Sequence, residues 1–182
     1  AKVTNLVSKA LYVNYSWDPV GNPTNIISSL GVTNAMTFDV AERLSTATIT
    51  RRGLAALRYT WGYNTNNGLV GSVVCTNTGV SVSNRFDIID QITNIVWKNS
   101  STLASFDYLY NTAGMVTQKI AKIGSSVTTN RYSSDGLDRL VSESITGAYT
   151  SSATFGYDLA GNRTNMVLNG VTNKYTYSNG CD

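Results

Sequence analysis

The chain contains no histidine. That absence removes Ser-His-Asp and Cys-His catalysis and most zinc sites, all of which need an imidazole as base or ligand. Its two cysteines, Cys75 and Cys181, are too few for a disulfide framework, and their spacing matches no metal motif. They are expected as buried thiols. No hydrophobic run is long enough to span a bilayer, so membrane insertion is not expected. No glycine-rich loop leads into a helix to cradle phosphate. Charged residues make up only 14% of the 182, and the basic ones are scattered singly apart from Arg51-Arg52. A pI near 8.9 and a net charge of +3 therefore leave no footprint for nucleic acid. The chain begins at Ala1 with neither an initiator methionine nor a signal peptide, and is expected to be a segment of a larger protein.

What the chain does have is Ser, Thr, Asn and Gly in quantity, together with 11 Tyr and 42% hydrophobic residues. That mixture suits strands and turns, is poor for long helices, and is too apolar for a disordered polar tract. Its aromatics are periodic. The dipeptides Trp17-Asp18, Phe38-Asp39, Tyr63-Asn64, Phe86-Asp87, Tyr110-Asn111, Ser134-Asp135, Tyr157-Asp158 and Tyr177-Ser178 follow one another at intervals of 20 to 25 residues. Two positions upstream stands another large apolar or aromatic residue in seven of the eight, Asn84 being the exception. A constant period in this range marks a repeat architecture.

Each repeat spells the same local structure. Residues two apart in a strand share a face, so Phe155 and Tyr157 project together just before the chain turns. Asp158 then opens a type I turn, where its side chain bonds a backbone N–H ahead of it, and Gly161 suits the fourth position. Strands are predicted over Thr24–Ser28, Val32–Phe38, Leu44–Thr50, Gly53–Tyr59, Leu69–Thr76, Val80–Phe86, Gln91–Lys98, Met115–Ile123, Leu140–Ile145 and Thr164–Leu168. Between Gly53 and Tyr59 the run Leu54-Ala55-Ala56-Leu57 would also suit a helix start, and the period decides for a strand. Asn169-Gly170 is a strong hairpin signal. Val3-Thr4-Asn5 echoes Val32-Thr33-Asn34 and Val171-Thr172-Asn173, as though it were the tail of a preceding unit.

Tyr157-Asp158-Leu159-Ala160-Gly161-Asn162-Arg163 resembles the YD repeat, also called the RHS repeat. Phe38-Asp39-Val40-Ala41-Glu42-Arg43 and Ser134-Asp135-Gly136-Leu137-Asp138-Arg139 resemble it with an acidic residue in place of glycine. Trp17 to Asn22 matches with Trp for Tyr, and Tyr110 to Gly114 with Asn for Asp. The resemblance covers essentially the whole chain. It implies an all-β fold of repeated antiparallel hairpins in one curved or spirally wound sheet, with residues 1–182 as one domain of about eight units. It further implies a structural role in a secreted or cell-surface protein, such as a shell of the kind found in bacterial polymorphic toxins, insecticidal toxin complexes and teneurins. Those shells use many more repeats, and neither a toxin domain nor the family's self-cleaving terminal motif is present.

Candidate chemistry dissolves into the repeat. Asp18, Asp39, Asp87, Asp135 and Asp158 all occupy the turn position, where capping explains them. Glu42, Asp90 and Asp138 follow such an Asp by three residues, a spacing open to a carboxylate pair or a calcium loop but read here as turn variation. No catalytic residue, metal ligand or cofactor is expected. The sequons at Asn14, Asn99 and Asn162 are what chance gives in so Asn-, Ser- and Thr-rich a chain. The aromatics read as a structural ladder, and the alternative is a stacking platform for glycans. Expected partners are further repeats of the parent chain or stacked copies of the same chain. Tyr175-Thr176-Tyr177 is a full-strength anchor close to Asp182, so neither end reads as capped.

Overall fold

The structure, a computed structural model, describes residues 11–177. Val3-Thr4-Asn5, Ser178 and Cys181 lie outside the described residues. Among the described residues there is no helix, and antiparallel strands follow one another in chain order through one open, 15-stranded sheet. The chain divides into two compact units, Ala1–Val82 and Ser83–Asp182. The first holds β1 (Val13–Trp17), β2 (Pro23–Ser28), β3 (Val32–Phe38), β4 (Leu44–Arg51), β5 (Leu57–Tyr63) and β6 (Val70–Cys75). Strand β7 (Ser81–Phe86) carries the division. The second holds β8 (Ile92–Asn99), β9 (Ser101–Tyr110), β10 (Val116–Ile123), β11 (Ser126–Ser134), β12 (Leu140–Gly147), β13 (Ser151–Tyr157), β14 (Arg163–Leu168) and β15 (Val171–Lys174).

The strand over Val32–Phe38 has the expected bounds. The strand expected over Gly53–Tyr59 is shifted: it begins at Leu57 and runs to Tyr63. Gly53 instead turns the chain at φ +78°, with the Leu54 N–H bonded to the Arg51 carbonyl at 3.0 Å. A positive φ is incompatible with extended backbone and is what glycine supplies. Leu54 to Leu57 form no helix; four apolar residues cannot offset the cost of helix nucleation.

Register divides the residues between two faces. In the first unit Met36, Ala47, Tyr59 and Cys75 pair successively across β3 to β6 and so share one face. Thr37, Thr46 and Thr60 share the other. In the second unit Tyr132, Glu143, Ala153 and Leu168 pair across β11 to β14, with Ser133, Ser142, Thr154 and Val167 opposite. One face is thus mainly aromatic and aliphatic, and the other is rich in hydroxyls. No second layer covers either: among the described residues only Cys75 and Ala153 are buried.

Successive turns alternate between two rims. The anchor rim carries the turns that follow the aromatic strand ends, and the opposite rim carries the rest. At the anchor rim the Asp158 N–H bonds the Asn162 carbonyl at 2.9 Å, and the Gly161 N–H returns to the Asp158 carbonyl at 3.1 Å. The same two bonds recur at Asp18, Asp39, Asp87, Asn111 and Asp135; at Asn64 the loop is one residue longer. Register slips beside the turns at Asp18, Asp39, Asn64, Asn111, Asp135 and Asp158, as between Gly156↔Asn165 and Tyr157↔Arg163, which is a β-bulge. The fourth turn residue is left-handed: Gly161 has φ +87°, and the non-glycine residues Glu42, Asp90 and Asp138 have φ 60°, 68° and 62°. Glu42, Asp90 and Asp138 are therefore the glycine slot occupied by an acid. Asp tolerates this region better than Glu does. Glu42→Gly is expected to raise stability by up to about 1 kcal/mol, and Asp138→Gly by less. Paired urea denaturation curves check the order, and a destabilised Glu42→Gly would contradict it.

Candidate functional site

The one arrangement that recurs along the chain is the anchor turn, built from its carboxylate outward. The side-chain Oδ1 of Asp18, Asp39, Asp87, Asn111 and Asp135 each accepts the backbone N–H groups two and four residues ahead, at 2.8–3.1 Å. Asp158 Oδ1 likewise accepts the Asn162 N–H at 2.8 Å. The backbone would otherwise leave these donors unpaired at the tip. The second carboxylate oxygen takes the side chain of the fourth residue on. Arg43 Nε and Nη2 reach Asp39 Oδ2 at 2.9 and 2.7 Å, and Arg139 does the same to Asp135 at 2.8 and 2.7 Å. Asn22 and Asn162 donate their amides to Asp18 and Asp158 at 3.1 and 3.0 Å.

These bonds favour the ionised carboxylate. Backbone donation from Asn22 leads in holding Asp18 below the usual 3.8. Side-chain donation leads elsewhere, from Arg43 for Asp39, Arg139 for Asp135 and Asn162 for Asp158, and all three are likewise lowered. Burial pushes the Tyr110 hydroxyl up, keeping it a proton donor.

The turn is then tied to the next one. The guanidinium of Arg43 lies 4.1 Å from the centre of the Tyr63 ring, and that of Arg139 lies 4.7 Å from Tyr157. Each of these tyrosines donates its hydroxyl to the residue just after the same preceding turn. Tyr63 reaches the Leu44 carbonyl at 2.8 Å and Tyr157 the Leu140 carbonyl at 2.8 Å. Tyr110 repeats this on Ile92 at 2.7 Å, and Tyr177 on Arg163 at 2.9 Å. Arg139 Nη1 also donates to the Asp158 carbonyl at 3.1 Å. The anchor aromatics Tyr63, Tyr110 and Tyr157 are half-buried, while Tyr15 and Trp17 are exposed. At the opposite rim Asn77 and Asn169 reach back one hairpin, accepting the N–H of Arg58 at 3.0 Å and of Ser152 at 2.8 Å.

The turns come in two kinds that alternate. Glu42, Asp90 and Asp138 stand 48 residues apart. Each is followed by a turn closed with Gly68, Gly114 or Gly161, and it is the tyrosine before this second turn that reaches back to the first. The aromatic period finds the anchors, but this pairing needs a second signal. In these three pairs that signal is the coincidence of an acidic fourth residue with Tyr, rather than Phe or Ser, in the following anchor; Tyr177 makes the same reach across the Gly161 turn.

Among the described residues, no three of His, Cys, Asp or Glu stand close enough to hold a metal ion. The concavities are open; one of about 390 Å³ is lined by Ile88, Ile89, Tyr108 and Tyr110. The carboxylate neighbours Asp39 and Glu42 do not converge, since Asp39 is committed to its turn and Glu42 is exposed at the tip.

No protein-family model matches the chain, and no curated protein matches it in sequence. Solved structures match it in fold. A crystal structure of TcdB2-TccC3-Cdc42 superposes with a TM-score of 0.80 and 17% identity over 95% of this chain. A TcdB2-TccC3-TEV crystal structure gives 0.76 and 18% over 93%, and the Photorhabdus luminescens Tc holotoxin pore gives 0.73 and 17% over 89%. At such identity the likeness is one of fold. This chain spans only 9–10% of the length of those chains.

Two measurements probe the turn. Tyr157→Phe keeps the ring under Arg139 and removes only the bond to Leu140, so it should cost about 0.5–1.5 kcal/mol; denaturation of the two proteins side by side reads this. In acid, Asp18, Asp39, Asp135 and Asp158 have folded values below their unfolded value of 3.8. Their contribution is therefore complete above that value and is lost as pH falls through the lower folded ones. Melting temperature should be level from neutral pH down to about 5 and fall below about 4. A decline already in progress near neutrality would show that other groups govern stability.

Proposed function

We propose that the chain is a YD/RHS-type repeat segment with a non-catalytic, structural role: a section of wall in a shell or filament of a secreted or cell-surface protein. The observation that carries this reading is the repeated turn itself. Of the eight Asp and Glu outside the sheet's interior positions and the last residue, every one is placed at an anchor turn, either as its cap or in its fourth position. Acidic chemistry is thus spent on folding the chain back. The likeness to the Tc toxin chains supports it, because nearly the whole of this chain superposes on a stretch of about a tenth of theirs. A single-layer sheet with an aromatic face suits a wall with an inside and an outside, and its partners would be further repeats or further chains.

The alternative reading is a carbohydrate-binding or adhesion module. Its favouring observation is the stacked pair Tyr15 and Trp17, ring centres 6.1 Å apart and both more than half exposed. The two are separated by one design. Chains carrying one and two additional repeats at either end should melt progressively higher, as nearest-neighbour stacking requires of a wall, while oligosaccharide titration leaves tryptophan fluorescence unchanged. Additional repeats without effect on melting would remove the wall reading, and saturable fluorescence quenching would install the glycan reading.

A further inference from the structure

The two rims differ in charge. In the first unit β4 begins just after Glu42, exposed at an anchor turn, and ends at exposed Arg51, followed by exposed Arg52. In the second unit β8 begins after Asp90 and ends beside exposed Lys98, and Lys122 is exposed at the far end of β10. None of the turns of the opposite rim among the described residues contains Asp or Glu. At the anchor rim Arg43 and Arg139 are turned inward onto Asp39 and Asp135, leaving Glu42 and Asp138 exposed at the tips, while Arg163 beside the Asp158 turn is an exposed cation on this rim. Among the described residues, then, the acidic turn residues all lie at the anchor rim, while the opposite rim carries exposed cations and no acid in its turns, a contrast clearest in the first unit.

Both rims also present aliphatic side chains. Val40 and Leu159 project fully from anchor turns, at 107% and 106% exposure. At the opposite rim Leu54 and Ile123 are 64% and 59% exposed. Scattered exposed aliphatics need no explanation, but these sit at hairpin tips, and neighbouring tips on one rim are two strands, or about 9.6 Å, apart. A surface with matching spacing and opposite charge exists on the other rim of the same chain.

We propose that the anchor rim of one copy docks on the opposite rim of a second copy, acidic tips against basic tips, with the aliphatic tip residues enclosed between them. The partner is a second copy because the two rims share one spacing and their charge is complementary between them and not within either one. The contact is heterologous, so it propagates into a stack of sheets along the strand direction unless its rotation closes a ring. It is separate from pairing through the end strands, and it does not depend on the wall reading above.

Sedimentation velocity of the 182-residue chain tests this. At about 0.01 M salt, where charges act over ~30 Å, the sedimentation coefficient should rise with protein concentration; at about 1 M, where screening acts within ~3 Å, it should return to that of the monomer. Two variants separate the rims. Arg51→Glu, Arg52→Glu, Lys98→Glu and Lys122→Glu together make both rims acidic. Val40→Lys, Glu42→Lys and Leu159→Lys together make both basic, at side chains outside the turn's hydrogen bonds. Each variant alone should associate at least about tenfold more weakly than the parent. Mixed one to one, they should associate again. Thermal melts establish that each variant is folded, and the mixture is informative only for folded partners, so Arg52→Glu with Lys122→Glu serves as a milder version of the first. The proposal is overturned if the parent chain stays monomeric at low salt. It is equally overturned if the variants associate as the parent does, which would move the contact to the end strands, or if the folded variants fail to associate on mixing.

Discussion

One carboxylate oxygen accepting two backbone N–H groups at the tip of a hairpin is the interaction on which the rest depends. A two-stranded hairpin is marginal by itself, and a sheet made only of hairpins has no local element that folds first and holds the others. Here the anchor fixes the turn, the turn fixes the bulge, and the bulge fixes which face receives the next strand's side chains. A slip of one residue at Asp158 would carry Phe155 and Tyr157 from the aromatic face to the hydroxyl face. The carboxylate therefore sets register, and its value exceeds that of the few bonds it makes.

Register matters more in this chain than in a globular one because there is no enclosed core to enforce it. With Cys75 and Ala153 the only buried hydrophobic residues described, stability is distributed over half-buried contacts between neighbours. The Arg43–Tyr63 and Arg139–Tyr157 pairs show how this is done. A guanidinium already held by its own turn's aspartate offers its face to the following anchor ring, and that ring's hydroxyl returns to the strand leaving the turn. Charge, ring and backbone carbonyl are joined in a closed loop. Each loop spans only adjacent hairpins, so cooperativity passes along the sheet from neighbour to neighbour.

Much of this is legible in the residues. The aromatic–Asp period gave the all-β class, the meander of antiparallel hairpins and the position of every anchor turn that falls within the described residues. The capping role of Asp18, Asp39 and Asp135 follows from their place in the period alone. The shift of β5 from the expected Gly53–Tyr59 has a local cause: a left-handed glycine needs several residues to rejoin the ladder, and pairing resumes only at Ile49↔Leu57. The tyrosine hydroxyl bonds could not be read in this way. They join residues from successive repeats, so no single unit shows the carbonyl that the Tyr63 hydroxyl will reach. The charge difference between rims was hidden for a related reason. Along the chain acids and bases interleave, and only folding sorts them to opposite ends of the strands.

The alternation of acidic and glycine-closed turns has a consequence for how such a chain can lengthen. Three of the four tyrosines that reach back, Tyr63, Tyr110 and Tyr157, have an acid-closed turn behind them, so the unit that preserves this match is a pair of hairpins, not one. Loss of a single hairpin would set two turns of one kind side by side, stranding a hydroxyl or a guanidinium. Recombination that copies or removes 48 residues at once preserves every such contact. Related chains should accordingly differ in length by even numbers of hairpins, with odd changes confined to the extremities, where no neighbour waits to be matched.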